Sequence, residues 1–416
     1  MSVAAAPRAA RADARFARML WAIIALGVVA ATLIALSTAG DPYDMESFRL
    51  VRAALDRGPL EPYALFAQQG IVRWPYPPAF FPWISASGAL AGHGLSFAFL
   101  VRVPSIAADA AVAWLVQDFL GRRGGSARIR LVAAALVALG PSFLAISGYH
   151  GQFDVLAILP GVAAVSIWER EEPGASRALA AGLLVGVGGA LKTVPLLLLL
   201  ALLPSVRSRR EALTLLAAAA LPLALAFAPF ALVRKLPSAH VLTYRGLPGA
   251  GGLSLLAQPD LSFAVLGIRG TQLSALSDVL ARYGGLLVGA GLLSVAAVGV
   301  RARARASALE LTVLVWLAVY AFGVNFFFQY ALWGLPFFLM AGYVREVLVL
   351  QAVLLLPTLI FYGRPWHVPA VAIAYTAIMV LVLVASLGAF ALFARHLLLA
   401  PRGAQSSAGT AGTSSS

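Results

Sequence analysis

Apolar residues in this chain come in nearly unbroken stretches separated by short polar segments, with no sustained alternation of the kind a half-buried strand shows. A membrane span needs about 20 predominantly apolar residues, and only a helix satisfies its own backbone N–H and C=O groups in hydrocarbon. The first such run is Met19–Leu36, and others follow at 96–120, 129–147, 155–169, 178–191, 194–203, 212–233, 283–300, 307–325, 326–342, 347–362 and 369–394. The pattern predicts an all-α integral membrane protein of about twelve transmembrane helices.

One apolar piece, 77–93, does not fit the series. It is short, carries Pro77, Pro78 and Pro82 at its start, and ends in Gly92-His93-Gly94. Counted as a span, it would move Arg122, Arg123, Arg128 and Arg130 to the outer side, against the positive-inside rule. It is therefore expected to be a re-entrant or surface-lying helix, with its prolines where missing donors matter least. Met45–Leu55 places Phe48, Val51 and Leu55 on one face and predicts an amphipathic helix on the bilayer.

With that choice every arginine cluster falls in the cytoplasm and both termini are inside. Residues 1–18 and 397–416 are expected to be disordered cytoplasmic tails around a single membrane domain, 19–396, with outer loops at 40–94 and 234–282. Ser37-Thr38-Ala39-Gly40 resembles a signal-peptidase site, but the run before it is as long as a span, so an uncleaved anchor is expected.

Composition sharpens the class. With 61% hydrophobic and 12% charged residues, the net charge of +14 lies in arginine clusters between apolar runs, a topology signal that argues against nucleic acid as a partner. The absence of cysteine excludes disulfides and thiolate metal sites and fits a bacterial protein. Inside the second span Arg102 and Asp109 share a face. Each costs roughly 2.5 to 3.5 kcal/mol at mid-membrane, so each is expected to pair or to face a cavity, with structural pairing favoured for Asp109.

The remaining polar chemistry is concentrated on the outer side: Asp41, Asp44, Glu46, Arg73, Tyr76 and His150, then Gln152, Asp154, Lys192, Arg245, Arg364 and His367. Carboxylates opposite scattered cations suit group transfer from a phosphate leaving group: a base takes a proton from an acceptor hydroxyl while Arg or Lys stabilises the phosphate released. Simpler roles compete at three positions. Asp44 and Asp154 could be helix N-caps, and Lys192 a snorkelling lysine. The acids and histidines are too scattered along the chain for a closed metal site, although the Asp41/Asp44 pair leaves a divalent cation possible.

An acid just after the first span, a polar stretch ending in Tyr76-Pro77-Pro78, and Arg-x-Pro-Ser at Arg102–Ser105 resemble GT-C glycosyltransferases that use polyprenyl-phosphate sugars. Gly148-Tyr149-His150-Gly151-Gln152-Phe153-Asp154 and Leu191-Lys192-Thr193-Val194-Pro195 are similar to bacterial mannosyltransferase-like proteins related to the phosphatidylinositol mannoside enzymes. The resemblance covers roughly residues 19–345. It implies a GT-C fold in the bacterial plasma membrane and a polyprenyl-phosphate hexose donor, with mannose as the sugar. It further implies a lipid-linked or glycan acceptor and inversion at the anomeric carbon. No cofactor is expected, with a divalent cation left possible. Asp41 is the base by this match, with Asp44 competing. Lys192, Arg245 and Arg73 are the donor-phosphate contacts, and Tyr76, His150, Gln152 and Asp154 bind substrate. A transporter or flippase is the alternative, disfavoured because helix interruptions do not correspond between the two halves.

Overall fold

The computed structural model describes residues 5–70, 74–235, 253, 271–323, 327–363 and 368–399, and among these helix is the only regular structure. The first half contains α1 (Ala5–Ser37), α2 (Pro42–Arg57), α3 (Pro62–Gln69), α4 (Phe81–Ala91), α5 (Phe97–Leu100) and α6 (Val103–Arg122). It continues through α7 (Ala127–Ala138), α8 (Pro141–Phe143), α9 (Asp154–Arg170), α10 (Ala175–Leu191), α11 (Leu199–Leu202) and α12 (Arg209–Leu232). The second half has α13 (Thr271–Ala302), α14 (Ala308–Phe322), α15 (Phe328–Met340), α16 (Val344–Gly363) and α17 (Pro369–Leu399).

The protein is an all-α integral membrane protein. Among the described residues seven helical stretches are long and apolar enough to cross a membrane: α1 from Asp13, α5 with α6, α7 through His150, α12, α13 from Arg282, α16 and α17. The other expected runs form helices of 17 residues or fewer, α9, α10, α14 and α15, and the short pieces around α11. Between Leu191 and Ser205, Pro195 and Pro204 divide the chain into short 3-10 turns around α11, since proline removes a helix donor.

The expected surface helix at Met45–Leu55 is α2, whose Met45, Phe48, Val51 and Ala54 are buried. Helix α4 has 11 residues, too few to span. It packs against α2, and the two enclose an aromatic core of Phe48, Trp74, Phe80, Phe81 and Phe153.

In the bundle, α10 packs between α9 and α12. Its Gly182 and Gly186, four residues apart, let α12 approach closely: a Cβ would stand 2.5 Å from Leu215 O at the first and 2.4 Å from Ala219 O at the second. Small residues at this spacing are how helices pack in a medium that offers no hydrophobic drive between them. At the far end of this pair Arg177 bonds Glu211 at 2.6 Å and lies over the Trp168 ring, so the buried charges are matched.

The third span is broken at Gly140-Pro141, and α16 repairs the break. Gln351 donates to Leu136 O at 2.8 Å and accepts from the Ser142 N–H at 3.3 Å. Beyond the break, Leu144–His150 forms a wider π-helical turn that closes at Gly151, in the left-handed region at φ 93°. That turn delivers His150 to the same end of the bundle where α1 finishes.

Candidate active site

The site is built on one buried arginine. Arg102, fully buried at the start of α6, donates to Thr38 Oγ1 at 3.0 Å, Thr38 O at 2.9 Å and Gly148 O at 2.8 Å. It thereby ties the end of α1 to the π-helical turn. Among the described residues the guanidinium has carbonyl and hydroxyl partners and no carboxylate, so Arg102 is paired through hydrogen bonds and not with Asp109. Asp109 is buried beside Ser147, with Oδ1 unpartnered among the described residues.

Three residues past Thr38, Asp41 caps α2. Its Oδ1 accepts from the Tyr43 N–H at 3.0 Å and the Asp44 N–H at 3.3 Å, and its own N–H donates to His150 O at 3.3 Å. The cap considered for Asp44 is thus made by Asp41, and Pro42 occupies the first helical position, where proline is favoured. Oδ2 of Asp41 accepts no hydrogen bond from a described residue.

Asp44, in the first turn of α2, is fully engaged. Gln152 Nε2 donates to its Oδ1 at 2.6 Å, and His150 Nε2 forms an ion pair with its Oδ2. The other imidazole nitrogen, Nδ1, meets the Tyr362 hydroxyl of α16 at 2.5 Å. Burial pushes the Asp44 carboxyl up, but the His150 charge, the hydrogen bonds from His150 and Gln152, and the Lys192 charge together hold it below the usual aspartate value. A depressed carboxylate stabilises the fold above its unfolded pKa of about 3.9, and that contribution is lost as pH falls through the lower folded value.

A second cluster adjoins the first. Asp154 Oδ1 accepts from Lys192 Nζ at 2.7 Å and from Trp333 Nε1 at 2.5 Å. The Lys192 ammonium lies 4.7 Å from the centre of the Tyr76 ring, within cation–π range. Tyr76 Oη stands 3.5 Å from Gln152 Nε2, so Gln152 links the clusters. Phe153 fixes this loop against the juxtamembrane helices by stacking on Phe80 at 4.5 Å and on Trp74 at 5.6 Å.

Seven expected site residues are therefore assembled: Asp41, Asp44, Tyr76, His150, Gln152, Asp154 and Lys192. Lys192 does not snorkel; it is buried against Asp154. Asp154 makes no side-chain cap at the start of α9. Glu46 points away and pairs with Arg49 at 3.6 Å. Arg73, Arg245, Arg364 and His367 lie outside the described residues, as does most of the loop at 234–282.

The acids and histidines are not scattered in space: one ligand-capable atom from each of Asp41, Asp44 and His150 lies within 4.8 Å of the others. Distance in the chain misled because separate spans return to one face. Even so, both His150 nitrogens are taken, by Asp44 and Tyr362, and one Asp41 oxygen caps a helix. A cation would have to break the His150–Asp44 pair to bind there.

Sequence reasoning missed Trp333 and Tyr362, which sit in predominantly apolar runs; Arg364, two residues beyond Tyr362, was the signal nearest to it. It noted Arg102 as a buried charge and as the first residue of Arg-x-Pro-Ser, but not as the anchor of the site.

The family model for Glycosyltransferase family 87 matches residues 74–323, more than half of the chain. The matched region includes Tyr76, Arg102, His150, Gln152, Asp154 and Lys192, and begins after Asp41 and Asp44. No curated protein matches the chain.

Proposed function

The chain belongs to glycosyltransferase family 87, and from that premise we propose that it transfers a hexose, mannose, from a polyprenyl-phosphate donor to a hydroxyl of a lipid-linked or glycan acceptor. Membership sets the transporter alternative aside, since it makes the protein a membrane glycosyltransferase. The observation that carries the proposal is the contrast between the two acids. Among the described residues both oxygens of Asp44 are occupied, whereas Asp41 is oriented through Oδ1 and its Oδ2 accepts no hydrogen bond. A general base needs both a fixed position and a free lone pair.

In the proposed reaction Asp41 Oδ2 takes the acceptor hydroxyl proton as that oxygen bonds to the anomeric carbon. The bond from that carbon to the phosphate oxygen breaks on the opposite face, and polyprenyl phosphate leaves with the electron pair. The configuration inverts. Lys192 has three donors, of which Asp154 takes one, so the others remain for the departing phosphate. Arg73 and Arg245 are proposed as further phosphate cations. Tyr76 offers an aromatic face to the sugar, and His150, Gln152 and Asp154 set the shape of the substrate site. Asp44 holds His150 and Gln152 in place.

Membranes bearing the chain, incubated with radiolabelled polyprenyl-phosphate hexoses, are expected to form labelled product from the mannose donor. Label arriving only from a nucleotide sugar would contradict the proposal. Because both His150 nitrogens already face Asp44 and Tyr362 and one Asp41 oxygen caps a helix, transfer is expected to persist in EDTA. Loss with EDTA and recovery with magnesium or manganese would refute that point.

We place the site on the outer face of a bacterial plasma membrane with both termini cytoplasmic, on the arginine distribution. The chain has no cysteine, and His93 and Arg128 are both exposed. His93→Cys is expected to react with an impermeant thiol reagent in intact cells and Arg128→Cys only after lysis. The reverse pattern would invert the topology.

A further inference from the structure

A second apolar recess lies at the end of α16 away from the site. It is a cavity of about 580 Å³ between α14, α16 and α17, within the roughly 300–1,000 Å³ of ligand sites. Its walls include Leu317 of α14, Leu350 and Val353 of α16, and Leu381 and Ala385 of α17. The two wall hydroxyls have partners: Tyr320 donates to Ala331 O at 2.5 Å, and Ser386 donates to Val382 O at 2.7 Å. The wall is therefore suited to a hydrocarbon chain.

The mouth differs from the wall. Tyr343, Arg345 and Glu346 line it, all three exposed, and neither Arg345 nor Glu346 forms an ion pair with a described residue. Along α16 the recess extends from Arg345 to Val353, about 12 Å at 1.5 Å per residue, and along α17 from Leu381 to Phe393, about 18 Å. One leaflet of a roughly 30 Å hydrocarbon core is about 15 Å deep. A recess one leaflet deep with a cation and an anion at its rim matches a lipid whose headgroup carries a phosphate and an amine. Tyr362 is 17 residues from Arg345 on the same helix, about 26 Å away, so this place is separate from the site above.

We propose that this recess binds a zwitterionic aminophospholipid of the phosphatidylethanolamine class, one acyl chain lying between α14, α16 and α17. Arg345 takes the phosphate and Glu346 the ammonium. The proposal does not depend on the transfer reaction.

The test is a titration of the purified full chain in detergent with dioleoylphosphatidylethanolamine, dioleoylphosphatidylglycerol or a polyprenyl phosphate, followed by melting temperature and native mass spectrometry. The ethanolamine lipid is expected to raise the melting temperature at the lowest concentration. Arg345→Ala should weaken it about tenfold, the loss of one charge-assisted contact. Glu346→Gln should weaken it similarly while bringing the glycerol lipid level with it. Ala385→Trp, which fills the recess, should abolish the response; the two rim variants decide the matter should that protein not fold. Tighter binding of the glycerol lipid or of the polyprenyl phosphate by the unmodified chain would overturn the proposal. So would an unchanged ethanolamine response in Arg345→Ala.

Discussion

Asp41→Asn is expected to lower transfer by about 100-fold or more, because positioned general bases supply roughly that factor or more. The change keeps the α2 cap, since asparagine accepts from the N2 and N3 backbone groups as well as aspartate does. Thermal stability should therefore hold while turnover collapses, a separation that a structural role alone does not produce. Asp44→Asn acts differently. It removes the charge opposite His150 and loosens the Gln152 contact, so its loss of activity should be smaller and should come with lower stability. Turnover measured beside unfolding temperature for the two variants distinguishes them. An active Asp41→Asn protein with an inactive Asp44→Asn protein would transfer the base to Asp44.

The second large effect is expected at Arg102. Its guanidinium bonds four acceptors, Ala35 O, Thr38 Oγ1, Thr38 O and Gly148 O, while fully buried, and hydrogen bonds from charged donors contribute roughly 1.5–3 kcal/mol each. Arg102→Met fills much of the space but leaves Thr38 and Gly148 carbonyls without a donor. A loss on the order of 3–5 kcal/mol is expected, read as a fall in unfolding temperature in detergent. Arg102→Lys retains the charge without the planar fork, so it should recover part of the stability while Asp41 stays poorly aligned and turnover low. Wild-type stability and turnover in Arg102→Met would remove the arginine from the account of how the site is held.

Much of the site was legible because polar residues at the ends of apolar runs must sit at a membrane surface, and alternate junctions return to one face. That logic groups Asp41, Asp44, Tyr76, His150, Gln152, Asp154 and Lys192, and with them Glu46, which the fold turns away toward Arg49. It did not show their pairing. Which acid caps α2 depends on where the helix starts, and Pro42 carried that information. The Lys192–Asp154 pair joins α9 to the turn after α10, a tertiary contact no local pattern encodes. Trp333 and Tyr362 looked like ordinary members of apolar helices. Hydropathy counts apolar residues, while Pro195 and Pro204 decide where the helix between Leu191 and Ser205 is interrupted.

The central claim is a direct displacement at the anomeric carbon with Asp41 as the base. It is tested most directly by the anomeric configuration of the hexose in the product, read by NMR from the one-bond C1–H1 coupling after transfer from a polyprenyl-phosphate donor of known configuration. Direct displacement requires the configuration opposite to that of the donor; retention would exclude it.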